Sequence, residues 1–338
     1  MELAKKRAEL WQELAGKALT GQRISMKEAL PVIQADNSHL LPILHAAYTV
    51  RSHYYGNKVK LNMIINAKSG LCPENCGYCS QSIVSTAPVK TYSLLDKDTL
   101  LAGAKEAMER KAGTYCIVAS GKGPTERELD QVIEAVNEIR ETMPLKLCAC
   151  LGLLKEEQAQ RLADAGVNRY NHNVNTSRSN YASITTTHTY EQRIETLQRV
   201  KEAGMSPCSG VIIGMGESDS EIVEMAYALR ELDADSIPVN FLNAIPGTPL
   251  QHAGRTIALK ALKVLALFRF VCPSKEIRIA GGREVSLRSL QPLALYAANS
   301  IFVGDYLTTD GQEVSMDHGM IEDLGFQIEL NALEVGME

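Results

Sequence analysis

Three cysteines fall within the eight residues CPENCGYC at 72–79, in a chain of 338 residues that has eight cysteines in all. Eight are too sparse for a disulfide scaffold, and thiols gathered this closely hold metal or do catalysis. A structural zinc site is closed and tetrahedral and takes four protein ligands. Cys72, Cys76 and Cys79 supply three, no second CxxC pair follows, and His53 and His172 have no ligand spacing. Three thiolates suit an iron–sulfur cubane better, because one iron then keeps an open coordination position.

Four more cysteines, Cys116, Cys148, Cys150 and Cys208, sit on apolar runs, and Cys272 precedes Pro273 after a helical segment. Taken singly, a free cysteine is commonly a small buried hydrophobe. If Cys116, Cys148 and Cys208 all point into a barrel interior, a space usually filled by Val, Ile and Leu, they converge there and suggest a second cluster. Cys150 lies two positions beyond Cys148, on the same face of a strand. It is either a bystander or a fifth donor to a cluster larger than [2Fe-2S]. No function is visible for Cys272.

Such donors need a rigid frame, and the rest of the chain has the rhythm of one. With 45% hydrophobic and 22% charged residues the composition is globular. Apolar, β-branched runs at 61–66, 114–119, 145–151, 167–173, 206–213, 236–242, 277–280 and 300–303 alternate with amphipathic segments at 97–110, 126–141, 155–165, 191–203, 220–231, 257–270 and 285–297. Eight strands with seven helices between them predict an α/β fold, a (β/α)8 TIM-type barrel, although an open doubly wound sheet fits the same alternation. Residues 1–55 read as an N-terminal helical extension, 56–304 as the barrel and 305–338 as a C-terminal extension or lid. A net charge of -5 gives no broad basic surface for nucleic acid. The longest apolar runs fall short of the roughly 18 to 20 residues a membrane helix needs. The charged N-terminus has no secretory apolar core, so a cytoplasmic location is expected.

Placed directly after the first candidate strand, with Tyr78 before its last cysteine, the loop resembles the signature of the radical S-adenosylmethionine superfamily. Further stretches follow in order: YCIVASGKGP at 115–124, CACLGLL at 148–154, YNHNVNTS at 170–177, CSGVIIGMGE at 208–217, PVNFLNAIPGTPL at 238–250, IRIAGGRE at 277–284 and NSIFVGDYLTT at 299–309. Together they resemble the biotin synthase family across residues 60–309. The loop alone identifies only the superfamily.

The resemblance implies conversion of dethiobiotin to biotin. A [4Fe-4S] cluster on Cys72, Cys76 and Cys79 would cleave S-adenosylmethionine to a 5'-deoxyadenosyl radical that abstracts hydrogen. Sulfur would come from an auxiliary [2Fe-2S] cluster on Cys116, Cys148, Cys208 and Arg278. On chemistry alone Arg278 would instead be an ion-pair partner for an anionic cluster or a carboxylate, since a guanidinium offers no lone pair. By the same resemblance Tyr78, Asn173, Asn175, Arg193, Gly210 and Gly214 approach the cosubstrate, and Asn171, Asn173 and Asn240 contact dethiobiotin. Without it, Arg193 would be an ordinary solvated helix charge. His172, between two asparagines, is expected to be structural.

Asn175 departs from the aspartate of many relatives and lacks a carboxylate's charge-assisted acceptor strength. GVIIGMGE fails as a Rossmann fingerprint because Asp219 stands at the third glycine, and ASGKGPT fails as a P-loop because Cys116 stands at the first. A homodimer and a flavodoxin- or ferredoxin-type electron donor are further implications of the family. Hydrogenase-maturase-like and pyrrolysine-pathway mutase-like enzymes share the barrel and loop but are not expected to keep the Cys116, Cys148, Cys208 and Arg278 set. A zinc- or cluster-binding protein without a substrate is the reading from a different class.

Overall fold

The apolar runs become strands because their side chains are wanted on both faces, inside the barrel and against its helices. A computed structural model describes residues 2–331. Its strands are β1 (Lys58–Lys68), β2 (Thr114–Ala119), β3 (Lys146–Cys150), β4 (Arg169–Asn171), β5 (Ser206–Cys208), β6 (Val211–Ile213), β7 (Ser236–Phe241), β8 (Glu276–Ile279), β9 (Ser300–Phe302) and β10 (Gln327–Ile328). All neighbours pair in parallel, and β9 returns to β1 through Lys60–Ser300, Leu61–Ile301 and Asn62–Phe302, which closes the barrel.

β5 and β6 are one stave of the eight, broken where the sequence predicts a continuous strand at 206–213. The N–H of Gly210 leaves the ladder and donates to Asn173 Oδ1 at 2.9 Å. Here β7 approaches so closely that a Cβ at Gly210 would lie 1.9 Å from the Pro238 carbonyl oxygen. The expected strand at 167–173 likewise narrows to β4, so Asn173 stands just past its end.

The outer helices start on side-chain caps. Thr125 with Glu128, Thr189 with Gln192 and Ser218 with Glu221 form reciprocal capping boxes. Helix Glu126–Thr142 buries Leu129, Val132, Ala135, Val136 and Ile139 along one stripe; each fully buried Val, Leu or Ile stabilises by about 1.5–3 kcal/mol. Helix Ala258–Val271 is apolar nearly all round because N-terminal helices Met26–Gln34 and Leu40–Tyr55 cover its outer side. Lys263, caught between them, donates to the carbonyl of Ala35 at 2.6 Å.

One expected helix, 285–297, is in fact three short turns, Arg283–Ser286, Arg288–Leu290 and Gln291–Ala294. Arg288 has a left-handed φ of 53° and Pro292 has no N–H to give, so the helical ladder cannot run through. Beyond β9, residues 306–309 form an isolated bridge, helix Val314–Asp323 follows, and β10 pairs with the start of β1.

Candidate active site

At the C-terminal ends of the strands, where barrel enzymes keep their chemistry, lies a cavity of about 280 Å³. Cys72, Tyr78 and Cys79 form part of its wall, with Asn171, Asn173, Asn175, Arg193 and Asn240 facing them, and Tyr306 to Thr309 contribute another part. Val118 and Cys150 line it too, paired across β2 and β3. Two residues back on the same strands, Cys116 and Cys148 are also register partners, and both are buried. Cys116 and Cys148 therefore form the layer beneath Val118 and Cys150.

Cys208 and Arg278, from β5 and β8, complete this lower layer, 0% and 1% exposed. The thiol of Cys148 is pushed well up by its hydrogen bond with Cys116, by burial and by the charge of Cys116. Burial likewise raises Cys208, against the opposing pull of Arg278. As free groups both stay protonated at neutral pH, and metal binding must displace those protons. Asn171 Nδ2 donates to Cys208 Sγ at 3.2 Å.

Sequence spacing did not reveal what surrounds Arg278. Its Nη2 pairs with Glu276 Oε1 and donates to Ser236 Oγ at 2.9 Å, and its Nε donates to Ser300 Oγ at 3.2 Å, leaving Nη1 without a partner among the described residues. Glu276 Oε2 takes Arg169 at 3.1 Å, with Lys60 at 3.8 Å. Burial alone would raise the Glu276 carboxyl, but Arg169, Arg278 and Lys60 outweigh it and hold it well below the usual range. Two arginines, Arg278 fully buried and Arg169 partly so, thus share one buried carboxylate. Their excess positive charge is costly unless an anion faces it, and thiolates with a sulfide cluster would be that anion. The donor set of the lower layer therefore fits an anionic iron–sulfur group, with Arg278 serving Glu276 at the same time.

The cysteine loop is held from outside the barrel by 185–188. Asn75 Oδ1 accepts from Thr185 Oγ1 and Thr186 N, both at 2.9 Å, while Asn75 Nδ2 donates to Thr186 Oγ1 at 2.7 Å. Gly77 N donates to Ile184 O at 2.8 Å, and Cys76 Sγ lies 3.8 Å from Thr185 Oγ1. Burial raises the Cys76 thiol and pushes Cys79 up to about 12. Among the described residues no three His, Cys, Asp or Glu side chains close around a single-ion position. Three thiols without a fourth protein donor fit a cubane with one free iron corner.

The polar wall is specific about what it leaves open. Asn173 Oδ1 is taken by Asn171 Nδ2 at 3.1 Å and Gly210 N, so Asn173 keeps its N–H donors, whereas Asn171 has spent its N–H side and keeps its oxygen. Asn240 Oδ1 accepts from Gly281 N and from Tyr306 OH, both at 2.9 Å, and its Nδ2 donates to Val211 O at 3.0 Å. Asn175, at φ 69°, donates through Nδ2 to Tyr78 OH at 2.8 Å, joining two residues expected at the cosubstrate. Arg193 reaches Asn173 O at 2.9 Å, His188 Nε2 at 2.8 Å and Tyr181 OH.

Gly210 and Gly214 stand behind this wall, while Ile212 between them faces the cavity. A Cβ on Gly214 would lie 2.8 Å from Thr256 Oγ1, and Glu217 accepts from the N–H groups of Gly214 and Met215. His172 is buried, its Nε2 has no partner among the described residues, and burial holds it well below its usual pKa. Cys150 is raised to about 12 by burial and by Cys148. Cys272 is packed in the core with its Sγ 3.6 Å from Ala226 O.

Two family models match the chain, the Radical SAM superfamily over residues 68–229 and the Biotin and Thiamin Synthesis associated domain over 238–327. A biotin synthase of Bacillus pumilus (strain SAFR-032) is 67% identical over 323 residues, covering 96% of this chain and 98% of that one. A biotin synthase of Bacillus subtilis (strain 168) is 61% identical over 319 residues, 94% of this chain and 95% of the relative. Among solved structures, methylornithine synthase superposes with a TM-score of 0.83 at 18% identity, over 94% of this chain and 98% of that one. The FeFe-hydrogenase maturase of Carboxydothermus hydrogenoformans superposes with a TM-score of 0.81 at 16% identity, over 98% and 82%. These two likenesses are of fold.

Proposed function

The chain belongs to the biotin synthase family of radical S-adenosylmethionine enzymes, and on that premise we propose how its residues divide the work. Its reaction is the conversion of dethiobiotin to biotin, with S-adenosylmethionine as cosubstrate. When bound on Cys72, Cys76 and Cys79, a [4Fe-4S] cluster supplies the electron that cleaves the cosubstrate. When bound on Cys116, Cys148, Cys208 and Arg278, a [2Fe-2S] cluster supplies the inserted sulfur.

The residues around the cavity bind and orient. Arg193 spends three of its five N–H donors on Asn173, His188 and Tyr181, and the two that remain suit the methionyl carboxylate of the cosubstrate. Tyr78 and Asn175, already bonded to each other, form the ribose side. The free oxygen of Asn171 and the free N–H groups of Asn173 are complementary to the N–H and C=O of the ureido ring of dethiobiotin. Asn240 keeps one N–H for substrate. Tyr306 and Leu307 cover the mouth and exclude water, and Thr308 ties this cover to the cysteine loop through Ser80 at 2.7 Å. Cys150 faces substrate as a protonated bystander.

The observation that carries this reading is the stacking of the two cysteine sets on one cavity, Cys72 and Cys79 in its wall and Cys116, Cys148, Cys208 and Arg278 beneath it. Among the described residues no helix is long and apolar enough to cross a membrane. A cytoplasmic homodimer served by a flavodoxin- or ferredoxin-type donor is the accompanying proposal, supported by the family resemblance. The test is anaerobic incubation of iron- and sulfide-loaded protein with S-adenosylmethionine, a strong reductant and dethiobiotin. Deoxyadenosine and biotin are the expected products; loaded protein that makes neither overturns the reading.

A further inference from the structure

Arg193 lines the cavity, yet nothing about its helix explains how it is aimed. The aim comes from His188, whose two ring nitrogens are both engaged. Nε2 lies 2.8 Å from Arg193 Nη2, and Nδ1 meets Glu74 Oε2. A guanidinium can only donate, so Nε2 accepts and the ring proton sits on Nδ1, facing the carboxylate. Glu74 is itself in the cysteine loop, between Cys72 and Cys76, and its Oε2 also accepts from Thr187 Oγ1 at 2.6 Å. Glu74 and His188 are each only 6% exposed, so water competes weakly for these bonds.

The bonds form one line: cysteine loop, Glu74, His188, Arg193, cavity. Tyr181 braces it from the side, with its ring edge-on to His188 at 5.9 Å and its hydroxyl accepting from Arg193 Nε. Because His188 and its two companions take three of the five donors, the two left over are fixed in direction. We propose that His188 is a positioning residue that couples the cysteine loop to Arg193, setting affinity for the cosubstrate carboxylate without touching the cosubstrate. The inference rests on Arg193 being the carboxylate partner. It also makes order in the loop and order at the carboxylate site mutually dependent, since each holds one end of the same imidazole.

The test compares His188→Ala with His188→Gln in loaded holoprotein, measuring S-adenosylmethionine binding by equilibrium dialysis and by the change it causes in the spectrum of the reduced cluster. A glutamine amide offers a donor and an acceptor at about the spacing of the two ring nitrogens. His188→Ala should raise the dissociation constant about tenfold, the scale of one charge-assisted hydrogen bond, with iron and sulfide content and the rate at saturating cosubstrate near wild type. His188→Gln should restore binding. Unchanged binding in His188→Ala, a fall in maximal rate without a fall in affinity, or equal weakness in His188→Gln overturns the proposal. Should His188→Ala fail to load, His188→Asn replaces it as the short side chain that cannot bridge, and it must bind more weakly than His188→Gln; equal binding overturns the inference. Wild-type protein that binds cosubstrate beside variants that bind equally sinks this inference alone, whereas loaded wild type that binds none sinks the reading of the site beneath it.

Discussion

The two cysteine sets are built on opposite principles. Cys72, Cys76 and Cys79 come from one loop, with Cys72 and Cys79 in the cavity wall and Cys76 buried behind them, and the loop is held by hydrogen bonds to 185–188. Cys116, Cys148 and Cys208 come from three strands, are buried, and sit over the ion pairs of Glu276 with Arg169 and Arg278. A loop set can be disordered without harm to the barrel. The interior set cannot move unless the barrel does, because its spacing is the strand register itself. A loop set that opens on the cavity would suit electron entry and cosubstrate exchange, while a buried set would suit a sulfide that must meet only the substrate.

The largest effect should come from Cys76→Ala, which removes a thiolate from the loop: both deoxyadenosine and biotin should fall below detection by chromatography while the thermal midpoint stays within a few degrees. A collapse of the fold would erase the distinction between the two sets. Glu276→Gln is its mirror image. It leaves buried Arg278 and half-buried Arg169 without their carboxylate, and breaking a buried pair this way costs roughly 3–5 kcal/mol, to be read in denaturant unfolding of the iron-free protein. Unaltered stability would mean the interior set does not depend on the barrel's ion pairs.

Asn75→Ala removes the clamp on the loop and should cost roughly 1–3 kcal/mol of local order. A chelator should then strip loop iron faster than in wild type while interior iron is retained; equal loss from both sites would contradict independent anchoring. Smallest is a control at a carboxylate that belongs to neither set. Glu221 accepts from Ser218, Ser179 and Ser177, which hold its pKa at about 2 against an ordinary 4.5. A depressed carboxylate stabilises the fold above its unfolded pKa and loses that contribution as pH falls. Wild type and Glu221→Gln should therefore differ above pH 4.5, by under about 1 kcal/mol after solvent screening, and converge near pH 2. Iron content should be identical in the two.

Legibility follows the same division. The loop could be read because its donors are contiguous and their spacing is the signal. The barrel could be read because parallel strands buried on both faces give short apolar runs at regular intervals. Cys116, Cys148 and Cys208 could be grouped only by supposing that their strands face inward, and Arg278 only by resemblance. Glu276 escaped notice although it is two residues from Arg278 on the same strand, because a single carboxylate in a sequence does not say which arginines surround it. The 185–188 clamp was equally silent, since Thr-Thr-Thr-His has no chemistry until folding sets it against Asn75 and Glu74. Tyr306, which reaches Asn240 across 66 residues, was hidden by distance along the chain. Helix 285–297 misled because its apolar spacing is helical, while Arg288 and Pro292 break the backbone locally.

The division of labour between the sets is tested most directly by measuring deoxyadenosine and biotin together in loaded Cys208→Ala. Cosubstrate cleavage should persist, since the loop is intact, and biotin should be absent. Biotin formed at the wild-type ratio to deoxyadenosine would show that the interior thiols hold no sulfur used in the reaction.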